Sequence, residues 1–152
     1  MEHNLQAKQA NYLILLGLVL FLFGLIVGFF VQNMVNPRMA LSAHLEGVMN
    51  GMFLMLLGLI WKRLLLSTTW LNITFGLVVY GTFANLAAVI MAAITGFGKM
   101  MPIAGGKGGE GITESAISFL LISLALCMLT VCVIVIVGVY KKMNQNPNET
   151  PK

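Results

Sequence analysis

Residues 40–53 read ALSAHLEGVMNGMF, and this apolar run carries an imidazole, a carboxylate and a primary amide: His44, Glu46 and Asn50. Lipid-facing segments exclude such groups, because a charged side chain at membrane depth is destabilising by a few kcal/mol or more. Each of the three has chemistry to offer. Neutral imidazole is the commonest metal ligand. A carboxylate shuttles protons when burial tunes its affinity for them. An amide donates and accepts at once, which orients a small polar guest. A later apolar run adds a second amide, Asn85, and a phenol, Tyr80.

Helical geometry decides which of these groups share a face. Glu46 and Asn50 are four residues apart and fall on one stripe, whereas His44 and Asn50 lie about 120° apart at roughly 100° per residue. His44 instead shares a stripe with Gly47, Gly51 and Gly58. Such a small-residue face suits the close approach of another helix or of a flat ligand, which makes Gly47 and Gly51 candidate cofactor contacts beside His44. Counting about 1.5 Å per residue from Pro37, His44 lies roughly 10 Å inside the outer end of its helix and Asn50 roughly 20 Å. Asn85, on a helix running the other way, reaches about 18 Å, so the two asparagines can share a pocket.

Plainer uses exist for each group. Intramembrane asparagines often bond only a neighbouring helix, for about 0.6 kcal/mol on average. Tyr80 as an ordinary ring needs only a partner for its hydroxyl, and Glu46 close to the interface stays wet. His44 is the more decisive residue, since the only other histidine, His3, stands in the N-terminal tail. If it binds haem, one ligand per chain leaves iron five-coordinate, and an open position favours a bound small molecule over pure electron transfer.

These residues need a membrane scaffold. The chain has 152 residues, 59% hydrophobic and 9% charged, with a mean hydropathy of +0.91, a composition that places it among integral membrane proteins. Four runs are long enough to cross a bilayer core, at about 9–32, 37–62, 69–97 and 113–140. The expected architecture is an all-α bundle of four transmembrane helices in a single domain over residues 1–152, with a polar, flexible tail at 143–152. The first run lacks a small-residue cleavage pattern and is expected to be a retained helix. Asn36 followed by Pro37 predicts the start of the second helix, as cap and first helical position. Cys127 and Cys132, five residues apart in the last run, face different directions, which predicts two separate thiols and no C-x-x-C redox site.

The net charge of +4 comes from basic residues scattered over loops and ends, so nucleic acid is not an expected partner. Their distribution is an orientation signal. Lys8, Lys62, Arg63, Lys141, Lys142 and Lys152 fall on one side, against Arg38, Lys99 and Lys107 on the other, which predicts both termini in the cytoplasm of a multi-pass protein of the inner (cytoplasmic) membrane. Tyr12, Trp61, Trp70 and Tyr140 fall at the same inner boundary, where amphipathic rings are comfortable. The connection GFGKMMPIAGGKGGEGI is the one loop with room for a role of its own. Its GGKGGEG only loosely resembles a phosphate loop: Gly108 stands where Ser or Thr is required and Met101 where the leading glycine belongs. It is expected to be a flexible outer loop.

NPRMALSAHLEGVMNGMFLMLLGLIW, then YGTFANLAAVIMAA, then MMPIAGG resemble the hydroxylaminobenzene mutase family, itself related to the styrene oxide isomerases. The resemblance runs over about residues 10–140 and all four helices, and its more specific part is His44 with Asn50-Gly51 and Ala84-Asn85. It implies a membrane isomerase using ferric haem b at subunit interfaces of a homotrimer, with His44 as axial ligand. Iron there acts as a Lewis acid, and Asn50 and Asn85 line the substrate side. Two departures from the epoxide isomerases stand out: Val89 occupies the position of their tyrosine, and Glu46 has no counterpart in them. Both favour rearrangement of an N-hydroxyarylamine to an aminophenol over epoxide isomerisation.

The sequence therefore predicts a haem-dependent isomerase of a small aromatic substrate that reaches the site from membrane lipid. His44 is the metal ligand, Gly47 and Gly51 flank the cofactor, and Asn50, Asn85, Glu46 and Tyr80 are the catalytic candidates. Rivals are a styrene oxide type epoxide isomerase and, in another class, a haem-binding sensor or carrier or a small-molecule transporter.

Overall fold

In a computed structural model, described here for residues 2–145, the chain forms four long helices: α1 (Glu2–Phe29), α2 (Pro37–Ile60), α3 (Thr68–Thr95) and α4 (Ile112–Met143). No strand is present among the described residues; one isolated bridge joins Phe97 to Lys107. All four helices are long and apolar enough to cross a membrane. The expected tail at 143–152 lies, beyond Gln145, outside the described residues.

The helix ends follow local chemistry. Asn36 caps α2, its Oδ1 accepting the backbone N–H of Arg38 at 3.1 Å and of Met39 at 3.2 Å, with Pro37 in the first turn. Those are two of the donors a helix start leaves without an internal partner. α3 stops at Gly96, whose φ of 75° is left-handed and whose N–H bonds the Ala92 carbonyl. A side chain resists that conformation, and glycine does not.

The helices pack in chain order, α1 on α2, α2 on α3 and α3 on α4. The tightest seam is α1 against α2, and glycine makes it possible. A Cβ on Gly47 would lie 2.5 Å from Gly24 Cα, and one on Gly51 would lie 2.7 Å from the Gly17 carbonyl oxygen. With lipid as apolar as leucine, close backbone approach of this kind replaces the hydrophobic effect as the driving force between helices. Of the two uses expected for the glycine face of α2, a neighbouring helix takes it. Gly47 and Gly51, expected as cofactor contacts, are buried under α1 and touch its backbone.

At one end of the molecule a polar network joins three elements. Trp61 is fully buried, donating from Nε1 to Gln9 Oε1 at 3.1 Å, and Gln9 Nε2 donates to Asn72 Oδ1 at 2.7 Å. Gln6 donates to the Trp61 and Leu64 carbonyls. Tyr12, Trp70 and Tyr140 are exposed, as boundary aromatics should be, but Trp61 is not one of them. Its indole N–H found a protein partner, so the ring could be buried whole.

At the opposite end, the connection 96–111 has a defined shape. A short 3₁₀ turn at Pro102–Ala104 forms its tip, Lys107 N–H bonds the Gly96 carbonyl, and Asn36 Nδ2 donates to the carbonyls of Ala104 and Gly105 at 3.1 and 3.0 Å. Composition predicted a flexible loop; Asn36, the cap of α2, and Glu114 of α4 bond its backbone instead. Cys127 is half-buried and Cys132 exposed, both as free thiols.

Candidate functional site

Glu46 is a hub. Its Oε2 accepts Asn50 Nδ2 at 3.3 Å and Asn85 Nδ2 at 2.6 Å. The first contact is the i, i+4 neighbour on α2, as spacing requires; the second crosses to α3. The matched depth of the two asparagines does bring them to one place, with the carboxylate between them. Glu46 is thus paired both along α2 and across to α3.

Beside this cluster opens a cavity of about 520 Å³. Arg38, Ser42 and Glu46 form one wall at i, i+4, i+8 on α2, Asn85 and Val89 of α3 form the second, and Leu121 of α4 the third. The roof is the loop from Met100 to Ala104. A largely apolar cleft of this size with a few convergent polar groups suits a small organic molecule.

His44 faces the other way. It is two residues from Glu46, about 200° around the helix, and its Nδ1 lies 2.8 Å from the carbonyl oxygen of Gly24 on α1. A carbonyl only accepts, so Nδ1 carries the proton and the lone pair sits on Nε2. Gly28, one turn further along α1, leaves the ring its space, since a Cβ there would lie 2.8 Å from Nδ1. The imidazole borders a second cavity of about 580 Å³ with Leu25, Gly28, Phe29, Val31, Gln32 and Leu41. The two cavities share no lining residue, and α2 stands between them.

One feature of that geometry suits an imidazole that holds a metal. A metal-bound imidazole usually donates its second N–H to a carbonyl or carboxylate, which fixes the tautomer and turns the free nitrogen outward. His44 does so through Gly24, and the walls of its cavity are mainly apolar.

Tyr80 does not join either group. Its hydroxyl pairs with Ser123 Oγ of α4 at 2.7 Å on an exposed face, and it lines neither cavity. The phenol, expected as a catalytic candidate, stands between α3 and α4, apart from the Glu46 cluster.

Sequence reasoning missed Glu114. This acid in the first turn of α4 is 3% exposed. Its carboxylate accepts the backbone N–H groups of Gly98 at 3.0 Å, Lys99 at 3.1 Å and Gly109 at 3.3 Å, with Ser118 Oγ at 3.4 Å. The available signal was an acid opening an apolar span directly after a glycine-rich loop. Gly24 and Gly28 were missed as well, although G-x-x-x-G in an apolar run is a sign of a helix-contact face.

Four membrane-length helices, with a carboxylate–diamide cluster between α2 and α3 and a free imidazole nitrogen on the far flank of α2, define a polytopic membrane protein with a built polar site among its helices. Comparison with known proteins gives the family. The styrene oxide isomerase family matches residues 9–140, and the chain belongs to it. It is 47% identical to hydroxylaminobenzene mutase HabB of Ectopseudomonas oleovorans over 147 residues, covering 95% of this chain and 90% of that protein. To hydroxylaminobenzene mutase HabA of the same organism it is 42% identical over 133 residues, covering 86% and 98%. No solved structure gives a significant match.

Proposed function

We propose that this membrane isomerase rearranges an N-hydroxyarylamine to an aminophenol, with the substrate held in the cavity beside Glu46. The family membership makes the protein an isomerase; the observation that carries the substrate reading is the Glu46 carboxylate between two amides at the wall of an apolar cavity. In the reaction an N–O bond breaks and a ring carbon gains the hydroxyl. One proton leaves that carbon and one arrives on nitrogen, so product and substrate are isomers. Glu46 is the group able to take the ring proton and return one to nitrogen. Asn50 and Asn85, each donating its N–H to Glu46, hold that carboxylate in place; Asn85, which lines the cavity, has its amide oxygen left to accept from the substrate.

His44 would hold haem b through Nε2, with Leu25, Phe29 and Leu41 against the macrocycle. The bound cofactor supplies a ferric Lewis acid for the oxygen that migrates. Because His44 and Glu46 open on opposite flanks of α2, the complete site is proposed to form where one copy's His44 flank meets the next copy's Glu46 flank, in a homotrimer. Both termini are proposed to lie in the cytoplasm, with the loop roof at the outer face of the inner membrane, on the basis of the basic-residue bias.

Epoxide isomerisation is the second reading, favoured by the family that the chain matches. Product analysis of purified protein with hydroxylaminobenzene and styrene oxide, side by side, separates the two. Aminophenol as the principal product supports the mutase reading, and phenylacetaldehyde alone overturns it.

A further inference from the structure

We propose that the loop over the Glu46 cavity is a ring-size selector, with Met101 and Ile103 as specificity-determining residues and Glu114 as the residue that positions them. This rests on the reading of that cavity as the substrate site. The loop contributes a continuous wall, Met100 to Ala104, to a cavity whose polar groups all come from α2 and α3. What meets the remote side of an aromatic guest is therefore mainly loop side chain, and its bulky apolar members are Met100, the half-buried Met101 and Ile103, which stands exposed at the cavity's mouth.

The wall holds its place through three clamps. Glu114 takes N–H groups from both limbs, Gly98 and Lys99 on the way out and Gly109 on the return. Asn36 holds the tip through the Ala104 and Gly105 carbonyls. Between them, Gly106 packs so closely on the Gly98 carbonyl oxygen that no side chain fits there. A buried carboxylate needs its acceptor sites filled, and Glu114 fills them with backbone donors of this one segment and a single hydroxyl. Removing the carboxylate strands those donors, so the loop loses its fixed distance from Asn85 and Glu46. Glu114 reaches no cavity-lining position itself, which makes it a positioning residue rather than a catalytic one.

The experiment measures kcat and KM of the purified full-length protein with hydroxylaminobenzene and with a two-ring N-hydroxyarylamine. Met101→Ala and Ile103→Ala are expected to raise the ratio of kcat/KM for the larger to the smaller substrate by about tenfold or more, the scale at which apolar pockets discriminate. Glu114→Gln is expected to relax selectivity in the same direction, mainly through a higher KM for hydroxylaminobenzene with kcat largely kept. A purely structural role for Glu114 lowers both substrates' kcat together and leaves the ratio alone. An unchanged ratio in Met101→Ala and Ile103→Ala overturns the proposal even if Glu114→Gln fails to fold. Glu46→Gln run in parallel separates the two levels. If it abolishes turnover while the loop variants change nothing, the selector falls and the site stands; if it turns over like wild type, both fall.

Discussion

Gly47→Ala tests the helix seam that orients His44. The added methyl would sit 2.5 Å from Gly24 Cα and 3.0 Å from Gly24 N, where carbon atoms prefer about 3.5–4.0 Å. The obstacle is backbone, so no rotamer change relieves it, and α1 and α2 must part by about 1 Å along the crossing. A gap of that size forfeits roughly a quarter to a half of the dispersion attraction of the atoms lining it. Overpacking of this type destabilises by about 1–3 kcal/mol, occasionally more, and the backbone contact puts Gly47→Ala toward the upper end. At a few degrees per kcal/mol for a chain of this size, a detergent-solubilised melt should fall by about 5 °C or more. The same displacement stretches the 2.8 Å contact of His44 Nδ1 with Gly24 O to the limit of a hydrogen bond, so the tautomer is released with the packing. Gly76→Ala is the control, because a Cβ there meets nothing within 4 Å. Alanine is the better helix former by about 1 kcal/mol, so this variant should melt at or slightly above wild type. A Gly47→Ala protein as stable as Gly76→Ala refutes the glycine-to-glycine crossing.

Other variants address the remaining contacts. Wild-type protein should show a Soret band that His44→Ala lacks, while the helical circular dichroism signal of the two is the same; a colourless but active wild type contradicts the haem assignment. Gln9→Ala leaves the buried Trp61 indole N–H without its acceptor, a loss of about 1–3 kcal/mol, read as a lower melting temperature with red-shifted tryptophan emission. Asn36→Asp keeps the cap oxygen for α2 but sets a carboxylate against the Ala104 and Gly105 carbonyls. It should make the 98–109 loop more sensitive to protease than Asn36→Ala does, while Asn36→Ala loses the cap as well, for about 0.5–2 kcal/mol.

The helices were legible because hydropathy acts over twenty residues at a time, and the start of α2 was legible because Asn36-Pro37 is a local chemical signal. Partners across helices were not. Spacing put Glu46 and Asn50 on one stripe and matched Asn85 in depth, yet only the packing of α2 on α3 shows the carboxylate accepting from both amides. The acceptor for His44 is a backbone carbonyl, a group every residue carries, so no residue type could announce it. Trp61 shows the same limit from the other side: its position suggested a membrane boundary, and a glutamine more than fifty residues away buried it. The loop was misjudged because glycine content was weighed without Glu114 and Asn36, the two side chains that hold it.

The most direct test of the account is the turnover number of folded Glu46→Gln with hydroxylaminobenzene. Glutamine preserves size and a hydrogen-bonding oxygen for Asn50 and Asn85 but cannot carry a proton between carbon and nitrogen. The account predicts a kcat at least about 100-fold below wild type, the lower bound for losing a general acid–base group, with the melting temperature little changed. Aminophenol formed by Glu46→Gln at the wild-type rate would contradict it.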